Sequence, residues 1–285
     1  MSETSRRVPS RRVSEARAED TSRLVPEEVP VALVYDGTTH AVMMATPADL
    51  EDFAVGFSIT EGIVESRRDI RDLEIVAHEK GLEARIWLVP DAGRKQVERR
   101  RRITGPTSCG LCGVDSLEAA VAEPRRVGHT AKATPTEIHR ALAAMPPIQT
   151  LNVATRAVHG AAFWDGTSGA VAALREDVGR HNALDKLVGA VAVAGIDPAK
   201  GFVVLTSRVS VEMVQKAAML GAEIVVAVSA PTALALRVAE DAGITIVAIA
   251  RSDAFEIFTH PERISLAAHS GDGSRQEGRT NARAQ

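Results

Sequence analysis

The sequence predicts an α/β protein, with a three-layer, largely parallel sheet unit in the C-terminal half and a smaller α+β unit before it. Three observations carry this. From residue 170 onward, short apolar runs alternate with helix-length segments: Ala170–Leu174, Phe202–Thr206, Ile224–Val228 and Ile244–Ile249 are separated by His181–Ala194, Val211–Leu220 and Thr232–Ala242. The runs are continuous in Val and Ile, which marks strands covered on both faces. Gly221 and Gly243 close two of the helices, where a left-handed stop is cheapest for glycine. Strands alternating with helices imply right-handed βαβ crossovers and a sheet sandwiched between helices.

In chain order, residues 1–24 are rich in Ser, Arg and Glu and are expected to be a disordered tail. Residues 25–104 form the small α+β unit. Val31–Tyr35 and His40–Met44 read as strands joined at Asp36-Gly37, a hairpin turn signal. Pro47–Phe57 has helical spacing, with Asp49, Glu51 and Asp52 in the first turn, where acids suit the helix dipole. Leu73–Val76 and Leu82–Leu88 resume strand character, so this unit reads as mostly antiparallel. Residues 105–134 form a loop and linker, with Val114–Val121 as a short helix candidate. Residues 135–265 form the larger α/β unit, opening with helix-like segments from Thr136 and over Leu151–Val158, and residues 266–285 are a second expected disordered tail.

Composition narrows the function. A chain of 285 residues that is 45% hydrophobic can bury a substantial core. A net charge of −3 gives no basic field of the kind nucleic-acid binding needs. No apolar run approaches the roughly 20 residues that span a bilayer, so no membrane partner is expected. The Arg-rich start has no apolar core segment of a secretory leader. Two cysteines in so long a chain cannot form a disulfide scaffold. A soluble protein of a reducing cytoplasm is the expectation.

Those two cysteines sit in Thr107-Ser-Cys109-Gly-Leu-Cys112-Gly113, below the run Arg99–Arg102. The thiolate is the reactive form, and a position at a helix start or beside guanidinium groups favours it. Four readings of the pair are open. Zinc needs four ligands and one CxxC supplies two, with no His-x-x-x-His pair or second CxxC to complete them. Dithiol redox chemistry fits the spacing, but the usual setting is a βαβ pattern. Sulfur carriage as a persulfide fits small flanking residues. Two buried small hydrophobes is the plainest reading.

In open α/β sheets, ligands sit beyond the carboxyl ends of the strands. This places Arg175–Arg180, Thr206–Ser210, Ser229–Thr232 and Arg251–Asp253 at one rim. Ser207, Ser229 and the N–H groups of the following helix starts can cradle anions. Arg180, His181, Arg208, Arg175 and Lys216 are candidate positive partners. The simpler role for the hydroxyls is helix capping, and for the charges surface pairing, Arg175 with Asp177 and His181 with Asp185. Asn182 and Asp185 read as ordinary helix surface.

The block Arg175-Glu-Asp-Val-Gly-Arg-His-Asn-Ala-Leu-Asp-Lys-Leu-Val-Gly189 resembles the formate dehydrogenase accessory sulfurtransferase family, FdhD. Cys109-Gly-Leu-Cys-Gly113, Ser207–Lys216, Ser229-Ala-Pro-Thr232 and Phe255-Glu-Ile-Phe-Thr-His260 resemble its other blocks, and the likeness covers roughly residues 27–265. The resemblance implies a sulfurtransferase with a cytidine-deaminase-like C-terminal fold, working as a homodimer. It would take persulfide sulfur from a cysteine desulfurase and pass it to the molybdenum of bis(molybdopterin guanine dinucleotide) for formate dehydrogenase. By the same resemblance Cys109 would carry the sulfur, with Cys112 assisting or relaying. Phe255, Glu256, Ile257, Phe258, Thr259 and His260 would help hold the guanine dinucleotide. No permanent cofactor or metal is implied. Glu256 stands where the family segment has a neutral residue, and Phe258 where Tyr is common.

Overall fold

The computed structural model describes residues 3–93 and 124–266. Cys109, Cys112, the Arg99–Arg102 run, the helix candidate Val114–Val121 and the C-terminal tail from Ala267 lie outside the described residues.

The chain begins with β1 (Ser5–Val13) and β2 (Ala18–Pro26), a two-stranded antiparallel hairpin. This corrects the expected disordered N-terminal tail. The register sets Arg11 opposite Asp20 and Arg12 opposite Glu19, and ion pairs form at 3.8 and 3.9 Å. Opposed unlike charges favour a strand pair. Arg23 on β2 also donates to the carbonyl of Thr155, tying the hairpin to the body of the molecule.

A four-stranded sheet follows, built from β3 (Val29–Tyr35), β4 (Thr38–Ala45), β5 (Ile70–His78) and β6 (Gly81–Leu88) in the order β4-β3-β6-β5. Asp36 and Gly37 take positive φ at the β3–β4 turn, as the Asp-Gly signal predicts. β3 and β6 are parallel and the other two pairs antiparallel. Helix α1 (Leu50–Thr60) lies against the inner face and buries Phe53 and Phe57 there.

The second half contributes α2 (Pro135–Ile148), α3 (Thr150–Thr155), β7 (His159–Asp165), β8 (Ala170–Asp177), α4 (Arg180–Ala194), β9 (Gly201–Leu205), α5 (Val211–Leu220), β10 (Ile224–Ala227), α6 (Ala233–Ala242), β11 (Thr245–Ala248) and β12 (Glu256–Ile257). Its six-stranded sheet has the order β12-β11-β10-β9-β7-β8. Only β9, β10 and β11 run parallel; β7 is antiparallel to both β8 and β9, and β12 to β11. The sheet is therefore mixed rather than largely parallel. The cause is β7, a strand of Gly, Ala and aromatics that joins β8 through a turn whose N–H groups at Thr167 and Ser168 bond the Asp165 carboxylate.

One hydrophobic core, built around α1, α4, α5 and α6, runs without a break from the four-stranded sheet to the near face of the six-stranded one. A second, under α2, covers the far face with Ile138, Met145, Trp164 and Phe202. The contact between α1 and α4 is made through two glycines. A Cβ on Gly56 would strike the carbonyl of Asp185, and one on Gly189 would strike the carbonyl of Asp52. Among the described residues no helix is long and apolar enough to cross a membrane.

Candidate functional site

The carboxyl ends of β8 to β11 form one rim, and the residues predicted for it are largely there. β8 ends at Asp177, which is fully buried. Its carboxylate accepts from the N–H groups of Thr46 at 2.9 Å and Gly179 at 2.8 Å, and from Asn182 Nδ2 at 3.1 Å. Lys186 Nζ pairs with it at 2.7 Å and donates to the Thr46 carbonyl at 2.9 Å. This knot fixes the start of α4, whose cap, Gly179, brings no side chain. Arg180 and His181 follow in the first turn. Arg180 Nε and His181 Nε2 are buried and have no hydrogen-bond partner among the described residues. Such atoms are costly unless something binds them.

Burial, and then the positive charge of Arg180, push His181 down to about 4, while Glu212 pulls the other way. His159, at the start of β7, is likewise lowered by burial and by Arg180 and Arg208, against Asp177. The rim thus gathers two guanidinium groups and two imidazoles held neutral. The neutral His181 has a stability consequence. Its folded value lies below its ordinary 6.5, so its contribution is complete above pH 6.5 and is lost as pH falls toward about 4. A urea titration of His181→Gln across that window should show a shallower acid-side loss than the parent protein; equal slopes would contradict the burial of a neutral imidazole.

Next on the rim, Thr206 Oγ1 accepts from Gly160 N at 2.9 Å, and Ser207 Oγ donates to the Arg208 carbonyl at 3.1 Å. Ser207 is buried and Arg208 exposed. Ser210 starts α5 without a side-chain cap, whereas Thr232 caps α6 through Ala235 N at 3.2 Å. The Ser229 carbonyl accepts from Ile249 N at 3.2 Å, and Arg251 folds back onto the carbonyls of Val228 and Ala250.

Other expectations are corrected. Arg175 does not pair with Asp177; its guanidinium meets Asp52 at 2.6 Å and Asp49 at 3.6 Å. Asn182 and Asp185 are buried rather than surface residues, and Asp185 pairs with Lys216 at 2.9 Å instead of His181. Lys216 also meets Glu61 and Thr60 at 3.0 Å each. Burial alone would push Lys216 down, but Asp185 and Glu61 hold it above the ordinary lysine range. Arg175 is therefore committed to joining β8 to α1, and Lys216 to joining α5 to α4 and the end of α1.

The segment Phe255–His260 runs away from the rim. Glu256, exposed, stands opposite Ala248 at the carboxyl end of β11, and Ile257 opposite Val247. Phe255 packs edge-on against His139, with ring centroids 5.4 Å apart. Phe258 is exposed and donates its N–H to Ile246. Thr259 is buried and bonded to Ile246 N at 2.8 Å and the Ile244 carbonyl at 2.7 Å. His260 lies at the far end of the strand, with its carbonyl on Thr245 Oγ1 and its ring within 3.1 Å of the Glu240 carbonyl. At ~3.3 Å per residue, Thr245 is roughly 10 Å from Ala248. The structure brings Arg180, His181, Ser207, Arg208 and Ser229 to one rim with Glu256 at its edge, and leaves Thr259 and His260 at the opposite end. His159 and Ile249 join the rim unforeseen, although the strand-end rule already reaches Arg251 two residues beyond Ile249.

A mixed α/β body with a rim of guanidinium, imidazole and hydroxyl groups belongs to a recognised class: residues 26–265 match the FdhD/NarQ family, and the chain belongs to that family. The Sulfur carrier protein FdhD of Agrobacterium fabrum is 50% identical over 266 residues, covering 92% of this chain and 96% of the relative. The protein of the same name from Cupriavidus necator is 49% identical over 244 residues, covering 86% of this chain and 84% of the relative. The crystal structure of a proposed formate dehydrogenase accessory protein from Desulfotalea psychrophila shares the fold, with a TM-score of 0.71 at 25% identity over 92% of this chain and 100% of that one.

Proposed function

We propose that the protein is a sulfur carrier for formate dehydrogenase maturation, with Cys109 as the carrying thiol. The observation that supports this reading most is the Cys109-Gly-Leu-Cys-Gly113 segment in a chain half identical to proteins named as sulfur carriers. In the first step the Cys109 thiolate attacks the outer sulfur of a cysteine desulfurase persulfide. The S–S bond breaks, the desulfurase leaves as thiolate, and Cys109 holds the persulfide. The acceptor is the molybdenum of bis(molybdopterin guanine dinucleotide), bound as substrate. Sulfur leaves by one of two routes. In direct transfer the S–S bond breaks toward Cys109, which leaves as thiolate, and the reduced molybdenum of the substrate would supply the two electrons that bring the outer sulfur to the sulfide level. Alternatively Cys112 attacks the inner sulfur, forming a Cys109–Cys112 disulfide while the outer atom departs as sulfide.

The rim fits an anionic, nucleotide-bearing substrate. Arg180 and Arg208 supply charge, the uncapped starts of α4 and α5 supply N–H groups, and the unpartnered Arg180 Nε and His181 Nε2 await an oxygen or a ring nitrogen. Phe255 and Glu256 would meet the guanine end. A cytoplasmic homodimer belongs to the same reading.

Incubation with a cysteine desulfurase and free cysteine should add one sulfur atom to the parent protein by intact mass, and none to Cys109→Ala. Formate dehydrogenase activity in cells carrying Cys109→Ala should fall to background. Parental activity from that variant would sink the carrier assignment. A disulfide in the Cys109–Cys112 peptide after turnover selects the second route; free thiols select the first.

A further inference from the structure

Ile249 stands at the carboxyl end of β11 with φ of 52°, in the left-handed region. β-branched side chains crowd the backbone there, and the conformation persists only where something offsets its cost. Among the described residues the other non-glycine positions at positive φ are Asp36, Asp49, Arg156 and His260, none of them β-branched. Burial of the side chain does not offset it: Ile249 is 36% exposed. The backbone is held from both sides instead. Ile249 N donates to the Ser229 carbonyl at 3.2 Å, and Ala250 N donates to Ala227 at 3.1 Å. The result is a branched aliphatic side chain exposed at a rim that also carries Thr206, Ser207, Arg208 and Ser229, with the small apolar Ala230 and Pro231 beside them.

An apolar surface in a ring of hydroxyl and guanidinium groups suits a ligand that is flat and apolar at one end and anionic at the other. We propose that Ile249 is the surface against which the base of the nucleotide-bearing substrate rests, and that its left-handed conformation turns it out of the sheet to do so. This rests on the proposed function, since it names the part of that substrate which β11 receives.

The test is calorimetric titration of GDP and, separately, inorganic pyrophosphate into the parent protein and Ile249→Gly, Ile249→Ala and Ile249→Leu. GDP affinity should fall about tenfold or more in the Gly and Ala variants, as expected when an apolar contact to a bound ligand is removed. The Leu variant should stay near the parent, and pyrophosphate affinity should be unchanged throughout. The Gly variant, free of the left-handed penalty, should melt about 2–4 °C above the Ala variant. GDP affinities within twofold of the parent in both truncated variants would overturn the proposal. So would an equal loss of pyrophosphate binding, which would make Ile249 a support of the rim rather than a contact to the base. A parent protein that binds neither GDP nor pyrophosphate would refute the nucleotide part of the proposed function, and this inference with it.

Discussion

Gly56→Ala should unfold the protein at temperatures where the parent is intact. The added methyl would lie against the backbone carbonyl of Asp185, 2.6 Å from its carbon and 2.7 Å from the amide nitrogen of Gly189. These are main-chain atoms inside a helix, so no side-chain rotation relieves the clash. α1 and α4 would have to separate by roughly 1–2 Å to restore ordinary contact. That separation would stretch the bond from Thr60 to Asp185, now 2.6 Å, and the ion pairs of Lys216 with Glu61 and Asp185. Overpacking alone costs about 1–3 kcal/mol, and a clash that also opens a buried charge network belongs above that range, at about 3 kcal/mol or more. Gly189→Ala should behave the same way, because its methyl would meet the backbone of Asp52. Thermal and urea melts check both. A midpoint within about 2 °C of the parent for either variant would mean that the helices are not seated on their glycines.

Lys186→Ala should cost about 3–5 kcal/mol, the usual loss when one partner of a buried ion pair is removed. Lys186 and Asp177 side chains are both fully buried. After the change, Asp177 keeps the N–H groups of Thr46 and Gly179 and the amide of Asn182, but loses the only positive charge bonded to it among the described residues. Lys186→Met separates charge from volume, since it fills the same space. If charge dominates, the Met variant should lose nearly as much as the Ala variant, and Lys186→Met with Asp177→Asn should recover part of the loss. If the Met variant is as stable as the parent, packing alone explains Lys186. The effect should extend to the rim, because the same carboxylate positions the first turn of α4, where Arg180 and His181 stand.

How much of this was legible follows from where the information resides. β9, β10 and β11 declare themselves as Val and Ile runs because both faces are covered, and the glycines after α5 and α6 take the left-handed φ their position predicts. Once those strands were placed, the strand-end rule was enough to find Ser207, Arg208 and Ser229. β7 was not legible. Its Gly160-Ala-Ala stretch carries no β-branched residue, since it runs where neighbours approach closely: a Cβ on Gly160 would meet the amide of Gln149. Missing it turned a mixed sheet into an apparently parallel one and hid His159. The hairpin of β1 and β2 was hidden for the opposite reason: its polar residues resemble a solvated tail, and only the cross-strand register reveals that Arg11 and Asp20 are opposed. Asp185 and Lys216 could not be paired from sequence, because they stand 31 positions apart and only tertiary structure brings them together.

The glycine seat between α1 and α4 also limits how the chain can change. Neither position leaves room for even the smallest side chain unless the opposing main chain retreats, so a single replacement at either should remove a large part of the stability. The small sheet is thereby locked to the large one as a single rigid part. Shearing of the two halves across this contact is opposed by main chain rather than by side chains that could rotate away.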